Sequence, residues 1–107
     1  DLDDTVRRLE AYRDAGADVL YAPGLTAPDQ IERIVAIGLP VNVLALPGTP
    51  TVAELGERGV ARISVGSLFA GAAYGALVEA AREVLGPGTS DYSARVLDAQ
   101  LRDQAFG

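Results

Sequence analysis

Apolar residues recur every three to four positions at Leu2, Val6, Leu9, Tyr12 and Ala15, the stripe of one amphipathic helix. Asp1, Asp3 and Asp4 crowd its start, where the helix dipole favours negative charge, and Gly16 stands where a C′ glycine ends such a helix. The run Ala17–Ala22, bounded by Pro23-Gly24, reads as a short buried strand. The order then repeats. Thr26 is placed to cap a second helix, with Pro28 in its first turn, Ile31, Ile34 and Val35 on its apolar face and Gly38 as its stop. Pro40–Leu46 follows with almost no polar alternation, as in a strand covered on both faces. Thr51 and Glu54 have the spacing of a capping box, opening a short helix that Gly59 ends. Val60–Gly66 is the third strand. Ser67 is placed to cap the longest helix, roughly Leu68 to Leu85, which Gly86-Pro87-Gly88 closes. The pattern predicts a last helix with Tyr92, Val96, Leu97 and Leu101 on one face, and with Asp91–Arg95 and Asp98–Arg102 paired at four-residue spacing.

Three strands, each preceded and followed by a helix across short loops, are consecutive βα units. Such units wind right-handedly into a parallel sheet, here in the order first, second, third. Three parallel strands leave two edges unpaired, and the chain starts on a helix, so the pattern is that of part of a larger α/β fold. The division it suggests is 1–88 for the βα units and 89–107 for a helical tail.

Composition narrows the chemistry. The 107 residues carry 15 acidic and 9 basic side chains, a net charge of −6, which speaks against nucleic acid or an anionic membrane as partner. With no cysteine there is no disulfide framework and no thiolate, and with no histidine the commonest general base and metal ligand is missing. No stretch is apolar enough to span a membrane, and the acidic start is the opposite of a signal peptide's basic region, so a cytoplasmic location is expected.

In a parallel βα architecture, ligands sit beyond the carboxyl ends of the strands. Three loops therefore hold the rim candidates: Pro23-Gly24 after the first strand, Leu46–Thr49 after the second, and Gly66-Ser67 after the third. At the third, the amides following Gly66 and Ser67 open a helix and suit an anion. The plainer reading is a tight turn at Gly66 and a capping serine. Asn42, the polar side chain inside the second strand, either bonds a substrate oxygen or braces a neighbouring strand. Ser64 carries the same ambiguity. Arg62, at the start of the third strand, reads as a solvated or structural charge, and strand parity leaves the direction of Tyr21 open. No pair of carboxylates occupies adjacent strand ends, so neither a metal site nor an acid/base pair is visible, and no catalytic residue is assigned. In the long helix, Gly71 and Gly75 sit among alanines four residues apart. That spacing suits either the close approach of another backbone or an alanine-rich helix with tolerated glycines.

The segments Ala11–Asp18, Leu39–Ala45 and Gly59–Gly66, in this order, together with Pro-Gly after the first strand, resemble the isocitrate lyase and phosphoenolpyruvate mutase family in its 2-methylisocitrate-lyase-like branch. The resemblance runs from Asp3 to about Gly88. It implies the sixth to eighth strands of a (β/α)8 barrel, and for the longer parent a magnesium-dependent cleavage of C–C or P–C bonds in small 2-oxo or 2-hydroxy carboxylic or phosphonic acids through an enolate. The family's metal-binding carboxylates, gating loop and substrate-binding arginine precede the matching region. The resemblance therefore implies a piece that is inactive alone and binds no magnesium of its own. It also implies a homo-oligomer, joined through the Ser67–Leu85 helix and the Tyr92–Phe106 tail. Two other readings stay open: a phosphate-binding barrel synthase, and a half-barrel serving only as an assembly scaffold.

Overall fold

The computed structural model describes residues 1–107. Helices α1 (Leu2–Asp14), α2 (Pro28–Val35) and α3 (Val52–Glu57) alternate with strands β1 (Leu20–Tyr21), β2 (Val41–Leu44) and β3 (Arg62–Ser64). Then come α4 (Leu68–Leu85), a 3-10 turn (Asp91–Arg95) and α5 (Ala99–Phe106). The strands pair in parallel in the order β1-β2-β3, as the alternation of elements predicts. The chain divides into two compact units, Asp1–Gly66 and Ser67–Gly107.

In the first unit, each strand is shorter than its apolar run, and for the starts of β1 and β3 the helix ends supply the reason. The amide of Ala17 donates to the carbonyl of Tyr12 and that of Val60 to Leu55, each five residues back across a glycine of positive φ, Gly16 at +96° and Gly59 at +83°. These residues still satisfy the preceding helix, so the ladder starts only beyond them. Gly59 is also sterically committed, since a Cβ there would stand 3.2 Å from Cγ1 of Val35. The capping box forms as its spacing requires: the amide of Glu54 donates to Oγ1 of Thr51 at 3.3 Å, and the amide of Thr51 to the Glu54 carboxylate at 2.8 Å. Hydrogen bonds from the side chain and then the backbone of Thr51 hold the Glu54 carboxyl below its ordinary pKa. Thr26, by contrast, does not cap α2. Ala27 occupies the N-cap position in extended backbone, with no side-chain bond, and Pro28 opens the helix. The residue before a proline is pushed out of helical backbone, and a proline at the first position removes one of the amides a cap would serve.

Register sorts the sheet into two faces. Leu20 pairs with Val41, and Val43 with Ile63. Leu20, Val41 and Val43 are buried with Leu9, Ile31, Ile34, Ile37 and Leu55, and Ile63 packs against them. This is the helix-covered face and the core of the unit.

In the second unit no side chain of α4 is buried, and Phe69, Tyr74, Leu77 and Leu85 are exposed. Ser67 precedes α4 at φ −88° and ψ 6° and makes no side-chain cap bond, contrary to the expected capping serine. Near-helical backbone keeps its hydroxyl from the second and third amides, which an extended cap residue reaches. The single last helix is also corrected. Val96 is extended, and Asp98 caps α5 by accepting from the amide of Leu101 at 3.0 Å. The expected four-residue ion pairs do not form: Arg95 lies 3.5 Å from Glu83, and Arg102 pairs with Asp103.

Glu83 explains the break. Its Oε1 accepts from Oγ1 of Thr89 at 3.0 Å and from the amide of Tyr92 at 3.1 Å, tying the 3-10 turn to α4. Burial alone would raise the pKa of this carboxyl. The amide of Tyr92, the hydroxyl of Thr89, the amide of Asp91 and the Arg95 charge outweigh that effect and leave it lowered. A group whose pKa falls on folding stabilises the fold above its unfolded pKa and loses that contribution as pH falls through the folded value. Exchange protection of the Tyr92 amide is therefore expected to hold down to the ordinary carboxylate range and to fall only below it. In Glu83→Gln the protection is expected to be weaker and flat with pH. Loss of protection in the wild type already at pH 6 would contradict the assignment.

Candidate functional site

The face of the sheet opposite the core carries the polar residues. Tyr21 is in register with Asn42, Asn42 with Arg62, and Leu44 with Ser64. Side chains alternate along a strand, so these residues share one face while Leu20, Val41, Val43 and Ile63 share the other. By the same alternation Tyr21 belongs to this face.

Asn42 is the one buried polar residue, 4% exposed. Nη1 of Arg62 donates to its Oδ1 at 2.8 Å, and its Nδ2 donates to Oγ of Ser64 at 3.0 Å. The side chain therefore ties β2 to β3 at two points. Both amide atoms are used, as a buried amide requires. With Oδ1 held by a cationic donor, Nδ2 is turned toward Ser64. The Ser64 oxygen thus accepts from Asn42 and keeps its own proton to donate. The hydroxyl donates to the carbonyl of Val43 at 3.5 Å, the outer limit of a hydrogen bond.

The other rim candidates are separate from this group. Pro23 lines a hollow of about 220 Å³ with Thr5, Arg8, Leu9, Tyr12 and Tyr21. Gly24, at φ +91°, makes the turn after β1, with nothing within 4 Å of a Cβ built on it. Gly66, at φ +54°, ends the first unit, where a Cβ would lie 3.4 Å from Cδ1 of Leu44. Ser67 opens the second unit. Of Pro23, Gly24, Asn42, Gly66 and Ser67, only Asn42 is drawn into a side-chain network. Taken one at a time, its partners carry other readings: Arg62 a solvated or structural charge, Ser64 either a substrate-bonding or a bracing hydroxyl. The signal that joins them is the shared parity of positions 42, 62 and 64, which becomes visible once the register is known.

Charge sets Arg62 apart. The chain has nine basic residues, all arginine. Arg7, Arg8, Arg13, Arg33, Arg58, Arg82, Arg95 and Arg102 each pair with a carboxylate. Arg62 does not, and bonds Asn42 instead. No three acidic side chains converge as metal ligands would. No helix is long and apolar enough to cross a membrane.

Residues 1–85 match the model of the phosphoenolpyruvate phosphomutase family. Two uncharacterised proteins of Mycobacterium tuberculosis, from strains CDC 1551 and H37Rv, are each 44% identical over 85 residues, covering 78% of this chain and 33% of the relative. The crystal structure of a candidate lyase/mutase from Burkholderia cenocepacia J2315 is 46% identical and superposes with a TM-score of 0.89, over 99% of this chain and 39% of that one. A 2,3-dimethylmalate lyase of the PEP mutase/isocitrate lyase superfamily is 28% identical, with a TM-score of 0.69, over 96% of this chain and 36% of its own. The chain thus spans about a third of the length of the curated relatives it matches.

Proposed function

The chain belongs to the phosphoenolpyruvate phosphomutase family, and from that premise we propose that it supplies consecutive βα units to the (β/α)8 barrel of a longer lyase or mutase. The reaction is cleavage or rearrangement of a C–C or P–C bond in a small 2-oxo or 2-hydroxy carboxylic, or phosphonic, acid through an enolate. The observation that carries this reading is the superposition on the Burkholderia lyase/mutase over nearly the whole chain at 46% identity. Dimethylmalate, named for the 28% identical relative, is itself a 2-hydroxy acid. The family match favours this chemistry over a phosphate-binding synthase.

An enolate oxygen requires a cation or strong donors, and magnesium supplies that as a Lewis acid. The acidic residues of this chain do not fit such an ion, because no three of them converge. In this reading the ion is held by residues of the parent outside these 107. What the chain's own residues supply is wall and rim: the core that holds the strands parallel, and the turns at Pro23-Gly24 and Gly66 that shape the ends from which a ligand is approached.

The test compares this chain with the longer parent on 2,3-dimethylmalate and oxaloacetate, with magnesium and with a chelator. The chain alone is expected to show no turnover. The parent is expected to lose about a thousandfold or more in rate on chelation, since a Lewis-acid metal contributes several kcal/mol to the transition state. Turnover by the chain alone, or a parent indifferent to chelation, would overturn the reading.

A further inference from the structure

Tyr21, Asn42 and Arg62 form one row across the face opposite the core. Beyond that row, toward the carboxyl ends, the strands run out in carbon. Pro23 stands two positions past Tyr21 and lines the same hollow. Leu44 is in register with Ser64, and its Cδ1 would lie 3.4 Å from a Cβ built at Gly66. Pro23, Leu44 and Gly66 carry no polar side-chain atom. The hydroxyl at this level, on Ser64, is spent: it accepts from Nδ2 of Asn42 at 3.0 Å and donates to the carbonyl of Val43 at 3.5 Å.

Backbone donors are scarce at these strand ends too. Pro23 and Pro47 have no amide hydrogen. The amide of Leu46 donates to Oγ1 of Thr49 at 2.9 Å, and that of Thr49 to the carbonyl of Leu46 at 3.0 Å. A ligand oxygen pressed against this surface would give up its water and find no donor, which is the costly case. A hydrocarbon group in the same place loses no partner and gains burial. Residue identity and register create this contrast, and further strands beside the sheet would not alter it. Donors from elsewhere in a barrel meet a ligand on its other sides.

On the barrel reading above, these strand ends border the ligand. We infer that they select for a hydrocarbon substituent on the acid and against an additional carboxylate, with Leu44 as the side chain that touches the substituent. The inference rests on the proposed function and deepens it. It concerns a group the substrate carries and leaves the bond that breaks unchanged.

The experiment measures kcat/KM of the longer parent, with magnesium, on 2,3-dimethylmalate and on 2-methylisocitrate. The two acids break the same bond and differ in one group, a methyl against a carboxymethyl on the carbon next to the carbinol. Dimethylmalate is expected to be favoured about tenfold or more, the scale on which a small change of substituent tells in an apolar pocket. Leu44→Asn brings a donor and an acceptor to the wall. It is expected to shrink that ratio about tenfold by lowering kcat/KM for dimethylmalate, whereas Leu44→Val keeps most of the ratio. Equal values for the two acids in the wild type, a preference for the tricarboxylate, or an unchanged ratio in Leu44→Asn would each overturn the inference. Should Leu44→Asn fail to fold, the wild-type ratio decides alone. A parent that turns over neither these acids nor oxaloacetate overturns the proposed function and this inference together. A parent that is active but shows the wrong ratio overturns this inference only.

Discussion

Replacing Ile34 by alanine is expected to lower the unfolding free energy by about 2–5 kcal/mol, the range for truncating a fully buried aliphatic side chain. Ile34 is 1% exposed and belongs to the cluster that joins α1, α2 and α3 to the covered face of the sheet. Only eight apolar residues are buried in the whole chain, all of them in the first unit. With so small a core, neighbours cannot easily collapse into the space left by a deleted side chain. A unit of 66 residues has, at the usual 0.05–0.15 kcal/mol per residue, roughly 3–10 kcal/mol in total. The single substitution therefore removes a large share of it. Urea denaturation followed by circular dichroism reads the effect as a lower midpoint at unchanged slope. Val52→Ala, at a position 73% exposed in α3, is the matched control and is expected to stay within about 0.5 kcal/mol of wild type. Near-equal midpoints for the two variants would show that the core is not where the stability lies.

The second large effect is expected at Asn42. Asn42→Ala removes the acceptor of Arg62 and the donor of Ser64 in one step, at about 1–3 kcal/mol by the usual cost of broken buried hydrogen bonds. Asn42→Leu restores the volume without the polarity. It is expected to recover only part of the loss, because Ser64, half-buried, remains without its donor. A double-mutant cycle with Ser64→Ala isolates the pair, and a coupling of about 0.5–3 kcal/mol is expected for groups in direct contact. If Asn42→Leu unfolds at the wild-type midpoint, the bridge between β2 and β3 contributes orientation and no stability.

Most of the element order was legible in the residues, because the signals that announce it are local. Gly16 and Gly59 both adopt the positive φ that ends a helix, and Thr51 with Glu54 closes the capping box their spacing requires. The departures are local competitions that another group won. Pro28 displaced Thr26 as the start of α2, and near-helical backbone at Ser67 withdrew its hydroxyl from the cap. Glu83 took the amide of Tyr92 and drew in Arg95, while Asp98 started a new helix. An apolar stripe with four-residue charge pairs is an argument from period alone. It cannot register a carboxylate nine positions upstream that accepts the amide first.

From its residues alone, then, this chain declares alternating helices and strands, parallel pairing in chain order, and a likeness to one family of lyases and mutases. Each of these follows from interactions within a few residues, or from segments that can be read in line. The polar strip follows from neither. Arg62, Asn42 and Ser64 are unremarkable one at a time, and a slip of one residue in register would turn Asn42 into the core and leave Val43 on the open face. Register is set where β2 and β3 meet, 20 positions apart in the chain, as Asn42 faces Arg62. The folded sheet therefore brings a buried amide, a guanidinium without a carboxylate partner and the Ser64 hydroxyl to one face. Parity within any single strand leaves that arrangement undetermined.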